Sequence, residues 1–145
     1  MTVRIGVNPI AWSNDDKQEL GGHIPLETCL REARQAGYAG IELGHKFPRD
    51  AATLRPILAA HQIELVGGWY STELRRRSVA DEIAAMQDHL TLLKDMICSV
   101  FILAETSNAI HGDQGTGLSN SPVLSPEDMA TFARNMSDLC SYIQD

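Results

Sequence analysis

The sequence predicts an α/β fold in which short strands alternate with helices. Four short apolar segments are each followed by a polar break and then by a segment with helical periodicity. This alternation is typical of βαβ units that build a parallel sheet. The pattern matches the first four strand–helix pairs of a (β/α)8 barrel, which needs about 250 residues in full. Residues 1–145 are therefore interpreted as one domain, the N-terminal half of such a barrel.

Each of the four strand candidates carries a polar or aromatic residue near its end, namely Asn8, Glu42, Trp69 and Glu105. Pro9 lacks a backbone N–H, so regular pairing of the first strand should end near it. The candidates are Val3–Ile10, Gly40–Leu43, Ile63–Tyr70 and Val100–Glu105.

The first two helices have clear boundary signals. The first carries Leu26, Leu30 and Ala33 at helical spacing, and Gly37 suits a left-handed C-terminal cap. Asp50 is a good N-cap for the second helix. Pro56 falls early in that second helix and should cost one hydrogen bond or bend the helix.

The last two helices follow the same rules. Ser78 and Asp81 form a capping-box pattern at the start of the third helix. Ser125 as N-cap and Pro126 at the first position begin the fourth helix. A long polar loop, 106–124, precedes that helix, and loops of this length are usually functional or disordered.

Composition excludes several classes of function. Twelve Lys and Arg against nineteen Asp and Glu give a net charge of −7, which argues against nucleic acid or an anionic membrane as partner. No apolar run reaches the roughly 20 residues needed to span a bilayer. No signal peptide is predicted. The three cysteines, far apart in apolar segments, predict reduced thiols in a cytoplasmic protein.

The carboxylate of Glu42 is the strongest catalytic candidate. It stands in a strand that should be buried on both faces, where an ionised group is costly unless it is paired. Lys46, four residues on, is the predicted partner, and the two are predicted to act as a substrate clamp or an acid/base unit. The competing interpretation is a structural ion pair at the barrel rim.

Substrate-binding candidates stand at the ends of the other strands, because loops after the strands build the active site of such a barrel. Asn8 can bind hydroxyl groups, or it can simply cap the turn before Pro9. Trp12 and Trp69 can stack on a ring or pack the barrel end. Glu105 occupies the place after the fourth strand that Glu42 occupies in the second.

Two of the five histidines lie in loops that follow strands and are therefore candidates for the site. They are His45 and His111, and His111 is predicted to contact substrate. No zinc-protease, C-x-x-C or P-loop motif is present, and Gly67-Gly68 lacks the spacing of a dinucleotide fingerprint.

Several segments resemble inosose dehydratase, the 2-keto-myo-inositol dehydratase of inositol catabolism, within the xylose-isomerase-like barrel superfamily. The resemblance covers nearly the whole chain, and the opening motif is its most specific part. The matching segments are Arg4–Asp16, Pro25–Leu30, Ala36–Gly44, Lys46–Arg49, Val66–Ser71 and His111–Asp113. The chain departs from the family pattern at two positions. Ile97 stands where the family has Gly at the end of the third helix, and Ala104 stands where the family usually has Gly near the end of the fourth strand.

The resemblance implies a metal-dependent lyase that removes water from a cyclic polyol ketone. Such chemistry needs a base for the proton α to the carbonyl and an acid for the leaving hydroxyl. The family uses Mn²⁺ or Co²⁺, which can polarise the carbonyl. Its metal ligands are expected on strands five to eight, so no metal is expected to bind this segment, which is predicted to be inactive alone.

Two other functions stay open. The chain can be a non-catalytic half-barrel that pairs with itself or with a second half, because its outer strands would expose sheet edges. It can also be a sugar isomerase or epimerase of the same superfamily, although the segment from Asn8 to Trp12 argues against this.

Overall fold

The computed structural model describes residues 3–110, 112–113 and 115–144 and confirms the α/β prediction. Four strands form one sheet in the order β1-β2-β3-β4, and β1 pairs with β2, and β2 with β3, in parallel. Each strand is followed by a helix, consistent with the first units of a (β/α)8 barrel. The elements are β1 (Gly6–Val7), α1 (Leu26–Gln35), β2 (Gly40–Leu43), α2 (Ala51–Ala60), β3 (Glu64–Thr72), α3 (Val79–Asp95), β4 (Phe101–Glu105) and α4 (Pro126–Gln144).

The first strand is much shorter than predicted, because the chain turns where Pro9 begins a 3-10 helix, Pro9–Ala11. Asn8 caps this helix by accepting a hydrogen bond from the amide of Ile10. The predicted end of pairing near Pro9 is thus confirmed, although the strand itself comprises only Gly6 and Val7.

The predicted caps are present. The Asp50 side chain accepts from the Thr53 amide at 2.8 Å, and Pro56 lies inside α2 without ending it. Ser78 Oγ accepts from the Asp81 amide at 3.1 Å and donates to its carboxylate at 2.7 Å. These bonds satisfy amides that the first turn of a helix leaves without partners.

Three helices end in the same left-handed turn, with φ values of 91° at Gly37, 55° at Gln62 and 60° at Ile97. After α3, for example, the Cys98 amide donates to the Leu93 carbonyl at 2.9 Å. This is the Schellman geometry, which favours glycine. At Ile97 a β-branched residue holds this left-handed position, at a cost of about 1–2 kcal/mol.

Contacts divide the chain into two compact units. The first comprises Met1–Trp69 and Thr91–Ile102, and the second Tyr70–Leu90 and Leu103–Asp145. The core of the first unit is built by the apolar faces of α1 and α2 against β2 and β3, with the end of α3. Its buried members are Leu30, Ala33, Ile41, Leu43, Phe47, Leu54, Leu58, Ile63, Leu65, Leu92 and Leu93.

Among the described residues, the second unit buries a smaller set of side chains, and three of them are polar: Thr72, Glu82 and Ser107. Thr72 and Glu82 are fully buried there, together with Met86 and Leu139. The apolar residues of α4 are only partly covered, because Met129 is half exposed while Leu139 is buried. None of the helices within the described residues is long and apolar enough to cross a membrane.

Candidate active site

A carboxylate and an amide meet where β1 and β2 end. Asn8 Nδ2 donates to Glu42 Oε2 at 2.9 Å, while Asn8 Oδ1 accepts from the Ile10 amide at 2.9 Å. Both sequence interpretations of Asn8 are therefore compatible with its position, because the side chain caps the turn and also orients Glu42.

The pairing of β2 with β3 has a bulge at Glu42. Pairing with β3 proceeds from Ile41 opposite Leu65 to Glu42 opposite Gly67, so that Val66 is skipped. Such a bulge re-aims the neighbouring side chain. Opposite Glu42 there is no side chain, and among the described residues only Asn8 donates to its carboxylate. One carboxylate oxygen is thus available to a ligand.

The predicted ion pair between Glu42 and Lys46 is wrong. Lys46 Nζ donates instead to the backbone carbonyls of Gly21 at 2.8 Å, Gly22 at 3.1 Å and Ile24. An ammonium group has three donors, and all three are used here. Lys46 therefore anchors the loop that leads into α1, and its predicted catalytic role stays untested.

The two tryptophans have different surroundings. Trp12 is half-buried beside the core, and its Nε1 donates to Glu32 Oε2 at 2.7 Å, which ties the loop after β1 to α1. Trp69 in β3 is 53% exposed and presents a large apolar surface. Stacking of either ring on a substrate stays a prediction.

The carboxylate of Glu105 is surrounded by donors in the second unit. Its Oε2 accepts from Thr72 Oγ1 at 3.0 Å and from the Leu74 amide at 2.8 Å. Its Oε1 accepts from the Ser107 amide at 3.0 Å and from Ser107 Oγ. Two oxygens offer about four acceptor positions, so the protein itself fills this carboxylate.

The balance of burial and hydrogen bonding shows in the acidity of Glu105. Burial raises its pKa, but the bonds from Ser107, Thr72 and Leu74 outweigh burial and hold the pKa below its ordinary value. Glu105 is therefore an ionised group that joins the ends of β3 and β4. Its predicted contact with substrate would require one of these bonds to break.

Sequence reasoning missed a second saturated carboxylate, Glu82, in the first turn of α3. It is fully buried and accepts from Tyr70 at 3.0 Å, from the Glu73 amide at 2.9 Å and from Arg77. Burial and the neighbouring Glu82 raise the pKa of Tyr70 to about 12. The only sequence signal was an acidic residue in a first helical turn, which is common on helix surfaces.

A third polar cluster, Ser13, Asp15 and His45, also lies at the ends of β1 and β2 in the first unit. His45 Nδ1 is 2.7 Å from Asp15 Oδ1, which also accepts from the His45 amide at 3.2 Å. His45 Nε2 lies 3.4 Å from Ser13 Oγ. The three line a cleft together with Pro9, Leu26, Cys29, Gly44, Lys46 and Phe47.

In the sequence, His45 is recognisable only as a histidine in a loop after a strand. Thirty residues separate Asp15 from His45. Only the parallel pairing of β1 with β2 brings the two loops together.

The described residues do not fit a divalent cation. Within 3–110, 112–113 and 115–144, no group of three or more His, Cys, Asp or Glu side chains is placed to hold a metal ion. Glu105 has no acceptor position to spare, and Glu42 stands with an amide. The predicted contact of His111 with substrate lies outside the described residues.

Comparison with curated proteins gives strong similarity along almost the whole chain. The chain is 44% identical over 139 residues to the rhizopine catabolism protein MocC of Rhizobium meliloti, covering 96% of this chain and 43% of that protein. It is 33% identical over 145 residues to inosose dehydratase 1 of Bacillus cereus, covering 99% and 49%. An inosose dehydratase of Geobacillus thermodenitrificans is 35% identical over 127 residues.

The chain spans about half the length of the curated relatives it matches. No protein-family model matches it. The chain is thus a homologue of proteins named inosose dehydratase and of MocC, and it aligns with about half of each of them.

Proposed function

We propose that this chain is part of an inosose dehydratase, a carbon–oxygen lyase that removes water from 2-keto-myo-inositol. The names of its relatives support the reaction class. The observation that carries the proposal is the contact of Glu42 with Asn8, which supplies an oriented carboxylate at the strand ends. The substrate is a small cyclic polyol ketone, and the protein works in the cytoplasm.

The dehydration begins with loss of a proton from the carbon next to the carbonyl, and a carboxylate in hydrogen-bond reach can accept it. Glu42 is our candidate base, because Asn8 holds one of its oxygens and the other is available. Exposed Trp69 offers an apolar face to the ring of a cyclic polyol.

The resemblance implies Mn²⁺ or Co²⁺, which would polarise the substrate carbonyl when bound. Because the described residues do not fit such an ion, we route no step through a metal here. We propose instead that the ligands belong to the remaining part of the barrel, outside this chain.

The test is an assay of the intact polypeptide that carries these residues. Incubation with 2-keto-myo-inositol and Mn²⁺ or Co²⁺ should give a product that has lost one water, detected by mass spectrometry. A product of unchanged mass would indicate an isomerase or epimerase instead. Intact substrate after exhaustive incubation with either metal would contradict the proposed reaction.

The higher identity to MocC favours a substrate from rhizopine catabolism as a second candidate. The same assay distinguishes the two, since rhizopine and its breakdown products can be offered beside 2-keto-myo-inositol. The preferred substrate is the one with the higher kcat/KM.

Self-association is the alternative to catalysis by this segment. The residues before β1 expose apolar side chains, Val3 at 84% and Ile5 at 61%, and an uncovered sheet edge invites pairing with another chain. The 145-residue chain alone should therefore be dimeric or larger at micromolar concentration. Light scattering that gives a stable monomer would contradict this half-barrel alternative.

A further inference from the structure

We infer that His45 is a second catalytic residue of this site, delivering a proton to the hydroxyl group that leaves the polyol ketone, with Asp15 as its positioning residue. This inference rests on the proposed dehydratase function and deepens it. Four observations carry it: the hydrogen bonds of the imidazole, the size of the cleft, the packing around Asp15, and the burial of Ser13.

The hydrogen bonds of His45 assign different tasks to its two ring nitrogens. Asp15 Oδ1 lies 2.7 Å from Nδ1 and is an acceptor only, so Nδ1 carries a proton in either charge state. This leaves Nε2 as the nitrogen that gains and loses a proton. A carboxylate behind the imidazole fixes the ring and its tautomer in many proton-transfer sites.

Asp15 is held to the same residue at two points. Its Oδ1 also accepts from the His45 backbone amide at 3.2 Å, so side chain and backbone of His45 share one acceptor. The Asp15 side chain is half exposed, whereas that of His45 is 22% exposed. Asp15 therefore approaches from the solvent side and restrains an imidazole that is largely enclosed.

Gly44, next to His45, lets the loop after β1 approach closely, because a side chain there would clash with Pro9. A Cβ atom on Gly44 would lie 2.8 Å from Pro9 Cγ and 3.6 Å from Asp15 Oδ1. Arg49 donates to the Gly44 carbonyl at 3.1 Å, and the charge of Asp15 partly offsets the lowering of the Arg49 pKa by burial. Glycine and a neighbouring cation together favour the Asp15 carboxylate at this place.

The cleft beside the imidazole matches the size of the leaving group. The space in it that can hold the centre of a water molecule is about 10 Å³, which corresponds to one water. Ser13 and His45 supply polar atoms to the cleft, and Leu26, Cys29 and Phe47 close it with apolar surface. A hydroxyl group or a single water fits there.

The proposed step uses Glu42 as the base and His45 as the acid. Glu42 takes the proton from the carbon next to the carbonyl, and the electron pair of that C–H bond forms a carbon–carbon double bond. The bond from the next carbon to its hydroxyl breaks, and that oxygen takes the proton from Nε2 of His45 and leaves as water. Solvent then removes the proton from Glu42 and reprotonates His45.

Ser13 is a hydrogen-bond partner in this site and not a nucleophile. Its hydroxyl lies 3.4 Å from Nε2, and the residue is only 4% exposed, so it is buried beside the imidazole. A hydroxyl group can donate to the neutral imidazole and accept from the protonated one. Ser13 thus serves both states of His45 during the step.

The test uses the intact polypeptide and substitutes the imidazole. His45→Ala should lower kcat for dehydration by about 10²-fold to 10⁴-fold, the usual range for a general acid, with little change in KM. Added imidazole should restore part of the lost rate, which a merely structural role would not produce. Asp15→Asn should lower kcat by about 10-fold to 100-fold.

The matched control is His23→Ala, because His23 is an exposed loop histidine outside the cleft. Should His45→Ala fail to fold, His45→Gln keeps a polar side chain and serves the same kinetic comparison. An active wild type whose His45 variants keep full kcat would overturn this inference and leave the dehydratase proposal standing. A wild type that leaves the ketone intact overturns both.

A second measurement is independent of activity. Nitrogen NMR of the labelled protein should show neutral His45 protonated at Nδ1, as the contact with Asp15 requires. A proton on Nε2 instead would overturn the inference, and so would covalent capture of Ser13 by an organophosphate, which would make it a nucleophile.

Discussion

Glu42 and Glu105 occupy corresponding places at the ends of β2 and β4, yet their surroundings differ. Glu42 receives one side-chain hydrogen bond, from Asn8. Glu105 receives four, from Thr72, Leu74 and Ser107. A carboxylate whose acceptor positions are all filled by the protein stabilises the fold, whereas one with an acceptor position left can bind a ligand. The position at a strand end is the same, and the supply of donors makes the difference.

The same contrast extends to the third carboxylate. Glu82 in the second unit is fully buried and accepts from a tyrosine, an amide and an arginine. Among the described residues, the side chains that can still bind a ligand thus lie in the first unit, at Glu42 and His45. Both carboxylates whose acceptor positions are filled lie in the second unit. The following predictions test this division.

The largest expected effect is on activity, at Glu42. Glu42→Gln removes the proposed base but keeps a side chain that can bond to Asn8, so kcat/KM for dehydration should fall by about 10²-fold to 10⁴-fold. The melting temperature should hardly change, since the group has one hydrogen bond to lose. Steady-state kinetics and thermal unfolding on one preparation check both parts.

The control for that experiment is Glu127→Gln, an exposed acid in the first turn of α4. It makes the same chemical change on an exposed side chain and should leave kcat/KM unaltered. Unchanged kinetics for Glu42→Gln would remove Glu42 from the site and with it the division between the two carboxylates.

The next effect is on stability, at Glu105. Glu105→Gln places an amide NH₂ against groups that donate, so that at least one of the four bonds is lost, and hydrogen bonds to charged groups contribute about 1.5–3 kcal/mol each. The free energy of unfolding should fall by about 2 kcal/mol. Urea denaturation measures it, and a loss no larger than for Glu127→Gln would contradict the structural role.

The stability that Glu105 contributes should be lost at low pH. The pKa of Glu105 is lowered in the folded state, so as pH falls the unfolded chain binds its proton first. The stability that Glu105 contributes is complete above the unfolded pKa of about 4.3 and is lost as pH falls through the folded pKa. Below pH 4, the difference in unfolding free energy between wild type and Glu105→Gln should therefore shrink.

The smallest effect is expected in alkali, at Tyr70. Its pKa is raised to about 12 by burial and by Glu82, whereas an unfolded tyrosine ionises near pH 10. The folded state thus keeps a proton that the unfolded state has released, and stability falls as pH rises between those values. Tyr70→Phe should show a flatter pH dependence there, and identical slopes would exclude this linkage.

Local features of the fold were readable in the sequence. The caps at Asp50 and Ser78 and the end of pairing near Pro9 each depend on a few neighbouring residues. Side-chain oxygens that bind first-turn amides, and a ring that lacks an N–H, act over three or four residues. Such features are therefore open to sequence analysis.

Partners distant in the chain were not readable. The spacing of four residues predicted an ion pair between Glu42 and Lys46. In the structure, Lys46 donates instead to backbone carbonyls more than twenty residues away, and Asn8 donates to Glu42. Glu42 lies in β2 and Lys46 in the turn after it, so the spacing rules of a helix do not apply to this pair.

By itself, then, the sequence determined the order of strands and helices, the positions where they end and the family resemblance, since these depend on local chemistry and periodicity. Tertiary structure alone decided which carboxylate is filled and which is available. The Thr72 hydroxyl and the Leu74 amide that bond to Glu105 come from the end of β3 and the segment after it, and the aspartate behind His45 comes from the loop after β1. Parallel pairing of neighbouring strands brings such loops together, and no local pattern records which donors then meet.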